Sequence, residues 1–174
     1  MKISSLINDL KTWNDIPVDE DNTCDTVKSG SVDKEVHKVA IAMFGTIEVI
    51  KQVVDWGADF LIVHEPLFYD HMDDIHDLAI VKEKQRIIYD SGLTIFRFHD
   101  YAHAMNPDMI CAGEIKYACL EGVIKERKKF GVTTFILKEP LTAEELAEKL
   151  IRNLNLDQIR VSGSINKKGN SIAC

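Results

Sequence analysis

Residues 57–66 read Gly-Ala-Asp-Phe-Leu-Ile-Val-His-Glu-Pro, and residues 93–103 read Leu-Thr-Ile-Phe-Arg-Phe-His-Asp-Tyr-Ala-His. Each is a short, mostly apolar run that stops in a cluster of side chains able to bind protons or cations. A short apolar run bounded by turn residues is the pattern of a strand buried on both faces. Pro66 supports a strand end there, because it lacks an N–H and restrains the residue before it. Parallel strands in one sheet point their C-terminal ends to the same edge, and ligands of open α/β sheets bind beyond that edge. The clusters at 64–66 and 99–103 are therefore expected to face a common site. Five of the six histidines (His64, His71, His76, His99 and His103) fall in residues 64–76 and 99–103, the stretches that follow these two runs.

Working outward, Lys38–Phe44 is a third apolar run of strand type. Thr46 is placed to cap a helix over Ile47–Trp56, with Gly57 ending it. A further helix is expected over Leu78–Tyr89, stopped by Gly92. Ile3, Leu6, Ile7, Leu10 and Trp13 recur at helical spacing, so the chain opens with an amphipathic helix. Residues 14–35 are polar and read as loop with a short strand. Asn106-Pro107 reads as N-cap and first residue of a helix running toward Leu120. Val132–Leu137 reads as a strand, Thr142–Glu145 as a capping box for a helix ending near Asn155, and Ile159–Val161 as the start of a last strand. Strands alternating with helices predict an α/β fold, a largely parallel sheet flanked by helices. Two segments are expected: a metal-site lobe over 1–130 and the start of a second α/β segment over 131–174. Ser171–Cys174 reads as the entry to another strand, so the sequence is expected to be truncated at its C-terminus.

With 174 residues, 45% of them apolar and 28% charged, the composition is that of a soluble globular protein. The formal charge of −7 disfavours nucleic acid and anionic membranes as partners. Cys24, Cys111, Cys119 and Cys174 contain no C-x-x-C pair, so a zinc ribbon is absent and reduced thiols in a cytoplasmic protein are expected. Cys111 and Cys119 lie at helical spacing with Ile115 and read as core. Lys125–Lys129 reads as a solvated helix end or turn, and Gly163 to Gly169 is no phosphate-binding loop, because no Gly-Lys-Ser/Thr follows.

Imidazole and carboxylate groups together suit a divalent transition metal such as Zn, Fe, Mn, Co or Ni. His64 and Glu65 can serve one centre only where the strand has already broken. His99 and His103 share a face if a helical turn forms between them. A strand-end histidine can instead bond a loop carbonyl, and for His71 and His76 a solvated loop is the plainer reading.

The pattern from Asp21-Asn22, through VHKVAIAMFGTIEVI (36–50) and GADFLIVHEPLFYDH (57–71), to FRFHDYAH (96–103), resembles the Nif-three-like (NGG-interacting factor three-like) family, as does EPLTAEELAEKLIRNLNLDQIRVSG (139–163). The resemblance implies a dinuclear metal centre, a ring-shaped homohexamer and a relation to type-two GTP cyclohydrolase homologues. The family carries two consecutive histidine ligands before a proline; His64 matches the first, and Glu65 stands in place of the second. It also carries a histidine followed four residues on by an aspartate ligand; His99 matches the histidine, and His103 stands in place of the aspartate. The resemblance thus implies His64, Glu65 and His103 as metal ligands, with His99 and Asp100 in catalytic or ligand-orienting roles and His71 supporting them. The family's remaining ligands, a His and a bridging Glu, lie in a segment beyond Cys174, so up to two metal ions per subunit are expected only with that segment. The expected function is that of a metal-dependent hydrolase of unknown substrate, with a nucleotide or phosphoester as the class considered. The alternative is a non-enzymatic metal-binding regulatory or scaffold protein.

Overall fold

A computed structural model describes residues 1–73, 78–125 and 131–174. His76, and residues 126–129 of the basic stretch, lie outside the described residues. The chain forms two compact units, Met1–Ala102 and His103–Cys174.

The first unit is built on a four-stranded sheet in the order β1-β4-β3-β2, with β1 spanning Val27–Ser29, β2 Val39–Ala42, β3 Phe60–Val63 and β4 Thr94–Arg97. β2, β3 and β4 are parallel, and β1 adds to the β4 edge in the opposite direction. Every residue of β3 and β4 is buried, which is why both read as mostly apolar runs rather than as alternating ones. The register pairs Phe60 with Thr94 and Val63 with Arg97. His64 and His99 consequently leave the sheet at the same edge.

Helices α1 (Ile3–Leu10), α2 (Ile47–Trp56) and α3 (Ala79–Ser91) complete this layer. Thr46 caps α2 by accepting the Val49 N–H, and Gly57 ends it at φ 73°. Gly92 ends α3 in the same left-handed conformation, at φ 63°. Ile50 and Val53 of α2 and Ile88 of α3 pack with Leu61, Val63 and Ile95 of the sheet and with Leu67. Gly30, at φ 78°, lets the chain run against β4; a Cβ there would lie 2.6 Å from the Thr94 Cα.

The boundary between the units falls within α4 (Asp100–His103). This division lies ahead of the one expected near Gly131. In the second unit, α5 (Met109–Tyr117), β5 (Gly122–Ile124), β6 (Thr134–Thr142), α6 (Ala143–Leu154) and β7 (Lys168–Ala173) follow. β5, β6 and β7 form a separate antiparallel sheet, over which Ile115, Phe135 and Leu137 make the core. The Thr142–Glu145 capping box forms as expected, and Asn155 ends α6 in the left-handed region. Three expectations change. The helix after Pro107 begins at Met109, capped by Asp108 rather than Asn106: the Asp108 carboxylate accepts the Ile110 and Cys111 N–H groups. Ile159–Val161 forms no strand; the partner of β6 is Lys168–Ala173. Cys111 is buried, but Cys119 is exposed, lying past the end of α5 at φ 52°.

Candidate metal centre

The ends of β3 and β4 hold His64 from three sides. The Phe98 N–H donates to the Val63 carbonyl at 2.9 Å, Arg97 Nε donates to the His64 carbonyl at 3.0 Å, and His64 Nδ1 lies 3.0 Å from the Phe98 carbonyl. A carbonyl can only accept, so Nδ1 carries a proton, and in the neutral tautomer this leaves the Nε2 lone pair available as a ligand atom.

His99 precedes α4, whose start is shaped by a distant loop. Asp25, buried to 2% exposure, accepts the backbone N–H groups of His99, Asp100 and Tyr101 at 2.8, 2.8 and 3.0 Å. It thus satisfies three donors that a short helix leaves open. Burial pushes its carboxyl up, opposed by the Asp100 and His99 N–H groups. Asp100 returns the contact, accepting the Thr23 hydroxyl at 2.8 Å and the Cys24 N–H at 3.1 Å on one oxygen, and His99 Nδ1 at 2.9 Å on the other. Burial alone would raise the Asp100 carboxyl, but hydrogen bonds from His99, Thr23 and Cys24 outweigh it and hold it at about 2.

His103 closes the single turn of α4. Its Nδ1 lies 2.8 Å from Asp108, which is 3% exposed in its side chain. All three rings therefore have Nδ1 against an oxygen acceptor, an arrangement that fixes ring orientation and favours Nε2 as ligand.

These three imidazoles come together: one ligand-type atom from each of His64, His99 and His103 lies within 4.8 Å of the other two. Tetrahedral coordination with metal–nitrogen bonds near 2.0–2.1 Å needs donor atoms about 3.3 Å apart. The His64 and His99 rings stack with centroids 4.5 Å apart, and the exposed His71 ring meets His99 edge-on at 5.4 Å. Three imidazoles so oriented fit a borderline divalent cation.

A second group, Cys24, His99 and Asp100, meets the same distance limit, but its donors are spent. Both Asp100 oxygens already accept hydrogen bonds, and the Cys24 thiol faces the Asp25 carboxylate at 3.6 Å. Burial pushes that thiol up to about 12. We read this group as the support that aims His99.

Of the residues expected at the site, the structure brings His64, His99 and His103 together, with Asp100 behind His99 and His71 beside it. Glu65 is half-buried next to His64 and belongs to neither group of ligand atoms among the described residues; its N–H donates to the Met43 carbonyl at 2.9 Å. Asp25, Thr23, Asp108 and Arg97 were not singled out from the sequence. Asp108, just before an apolar helix, carried a capping signal; nothing local distinguishes Asp25.

The fold and site thus define an α/β protein with a histidine-rich site of metal-binding type at the carboxyl edge of its parallel strands. Residues 1–174 match Duf34/NIF3 (NGG1p interacting factor 3) in full, and the chain belongs to this family. A GTP cyclohydrolase 1 type 2 homolog of Methanocaldococcus jannaschii is 28% identical over 101 residues, covering 57% of this chain and 40% of that protein. A homolog of the same description from Clostridium acetobutylicum is 20% identical over 179 residues, covering 99% of this chain and 67% of that protein. Among solved structures, a Bacillus cereus protein related to NIF3 superimposes with a TM-score of 0.79 at 12% identity, covering 99% of this chain and 76% of that one. That likeness shows the fold.

Proposed function

We propose that this chain holds a divalent transition metal (Zn, Fe, Mn, Co or Ni) on His64, His99 and His103 and acts as a metal-dependent hydrolase of a nucleotide or phosphoester. The observation that carries the reading is the convergence of three imidazoles within 4.8 Å, each with its Nδ1 held by an oxygen acceptor. Bound there, the cation supplies Lewis acidity toward a phosphoryl or carbonyl oxygen. Phe98, Asp100 and Asp108 keep the proton on Nδ1 of each ring, and Asp25 fixes the helical turn between two of them. Glu65 follows His64 directly and is proposed as a carboxylate donor for the same site or for a second ion. His99 is read here as a ligand, with Asp100 orienting it. The shared description of the curated relatives supports a nucleotide as the substrate class.

Family membership supports assembly into a homohexamer in the cytoplasm. The exposed Ile41, Met43 and Phe44 at the β2 edge are apolar surface that such an assembly would cover. Among the described residues, no helix is long and apolar enough to cross a membrane.

The test is metal analysis of the purified protein, followed by assays against phosphoesters and GTP with each candidate cation. Bound metal together with cation-dependent release of phosphate or ring-opened product is expected. Bound metal without turnover on any substrate contradicts the hydrolase half and leaves a binding or scaffold protein. Absence of binding contradicts both halves.

A further inference from the structure

We propose that Arg97 is the positioning residue of this centre, its guanidinium setting the backbone of the segment that carries His64 and His71. The proposal rests on the metal-binding reading above. Side chains alternate along a strand, so Arg97 emerges on the face of Ile95, which packs against α2 and α3. There it is the largest fully buried side chain in the described residues, at 0% exposure.

Its planar fork addresses two carbonyls at once. Nε donates to His64 at 3.0 Å, and Nη1 donates to His71. Asp73 lies 3.6 Å from Nη1 and completes a buried charged triad by pairing with Lys28 at 2.9 Å. The other Asp73 oxygen accepts the Phe68 N–H at 2.8 Å, and Lys84 reaches in from α3 to the Leu67 carbonyl at 2.6 Å. The segment leaving β3 is thus tied at residues 64, 68, 71 and 73 to a group rooted in the rigid strand beside it.

Stability alone does not explain such a group. Replacing buried ion pairs by apolar residues of similar volume is often neutral or stabilising, and here β4 is otherwise apolar apart from Thr94. What an apolar replacement cannot supply is the aim of two carbonyls, one of which belongs to a metal-binding residue. Lysine cannot supply it either, because it lacks the bidentate fork.

Positioning and electrostatics predict opposite signs, which makes the proposal decidable. A buried cation beside a metal site repels the incoming ion, so charge alone predicts that Arg97→Met tightens metal binding. Positioning predicts that it weakens.

The experiment is titration of the full chain with cobalt(II), followed by its visible absorption bands, for wild type, Arg97→Met and Arg97→Lys. Cooperative unfolding of each metal-free protein confirms the fold. Both variants should bind cobalt about 10- to 100-fold more weakly and show altered band intensities, with Lys failing to rescue. Binding within threefold of wild type, or tighter, in a cooperatively folded Arg97→Met overturns the proposal, as does an Arg97→Lys protein indistinguishable from wild type. If Arg97→Met does not fold, Asp73→Asn takes its place. It keeps an acceptor for Phe68 but weakens the hold on Arg97, so weaker cobalt binding is expected and unchanged binding overturns the proposal. A wild type that takes up no cobalt overturns the metal-binding reading itself, and is told apart because no variant is involved.

Discussion

Nδ1 of His103 lies 2.8 Å from one oxygen of Asp108, while the other oxygen of that carboxylate accepts the N–H groups of Ile110 and Cys111 at 2.9 and 3.2 Å. One buried side chain thus starts a helix and orients an imidazole. The two tasks can be separated by substitution. Asp108→Ala should lose both the cap, about 1 kcal/mol, and the ring's acceptor, weakening metal binding about 10- to 100-fold. Asp108→Asn is also a good N-cap, so it should keep most of the stability while still weakening metal affinity. Chemical denaturation and metal titration of the two variants check this. Equal metal affinity in wild type and Asp108→Asn would remove Asp108 from the account of the site.

The second expectation concerns pH. Asp100 is held at about 2, against an ordinary value of 3.8, by hydrogen bonds from His99, Thr23 and Cys24 that outweigh the cost of burial. Its folded value lies below the unfolded one, so its contribution is fully present above about pH 4 and is lost as pH falls toward 2. At about 1.4 kcal/mol per unit, that contribution is at most about 2 kcal/mol. The stability difference between wild type and Asp100→Asn should therefore shrink as pH drops from 4 to 2. Denaturant melts across that range decide it; a difference that does not change would contradict the hydrogen-bonded carboxylate described here.

Gly30 offers a test of the fold remote from the histidines. Its φ of 78° is unfavourable for an L residue, and an added Cβ would meet Thr94 Oγ1 at 2.5 Å and the Leu93 carbonyl at 2.8 Å. Gly30→Ala should cost about 2–4 kcal/mol through strain and overpacking. Thermal unfolding measures this, and an unchanged midpoint would mean that β1 does not pack on β4 as described.

What could be read from the sequence was what local physics decides. The apolar runs of β2, β3 and β4, the Thr46 and Thr142 caps and the glycine stops at 57 and 92 all announce themselves within a few residues. So did the meeting of His64 with the segment after β4, because parallel strands share one edge. The helix start at Met109 was displaced because Asn106 and Asp108 both suit a cap, and only three-dimensional reach selects between them. Ile159–Val161 is as apolar as a strand needs to be, yet pairing belongs to Lys168–Ala173, whose partner β6 is 26 residues or more away in the chain. Asp25 lies 74 residues from His99, and no pattern near it betrays that it caps α4. Arg97 stands at the end of a mostly apolar strand with no local sign of its role; its two carbonyl partners become visible only once the segment after β3 is in place.

The proposed centre requires His64, His99 and His103 to hold one cation together. It is tested most directly by zinc or cobalt titration of the wild type beside His64→Ala, His99→Ala and His103→Ala, each confirmed to unfold cooperatively. Saturable binding in the wild type and affinity at least about tenfold weaker in every single variant are expected. Retention of wild-type affinity by all three variants, or no binding in the wild type, would contradict it.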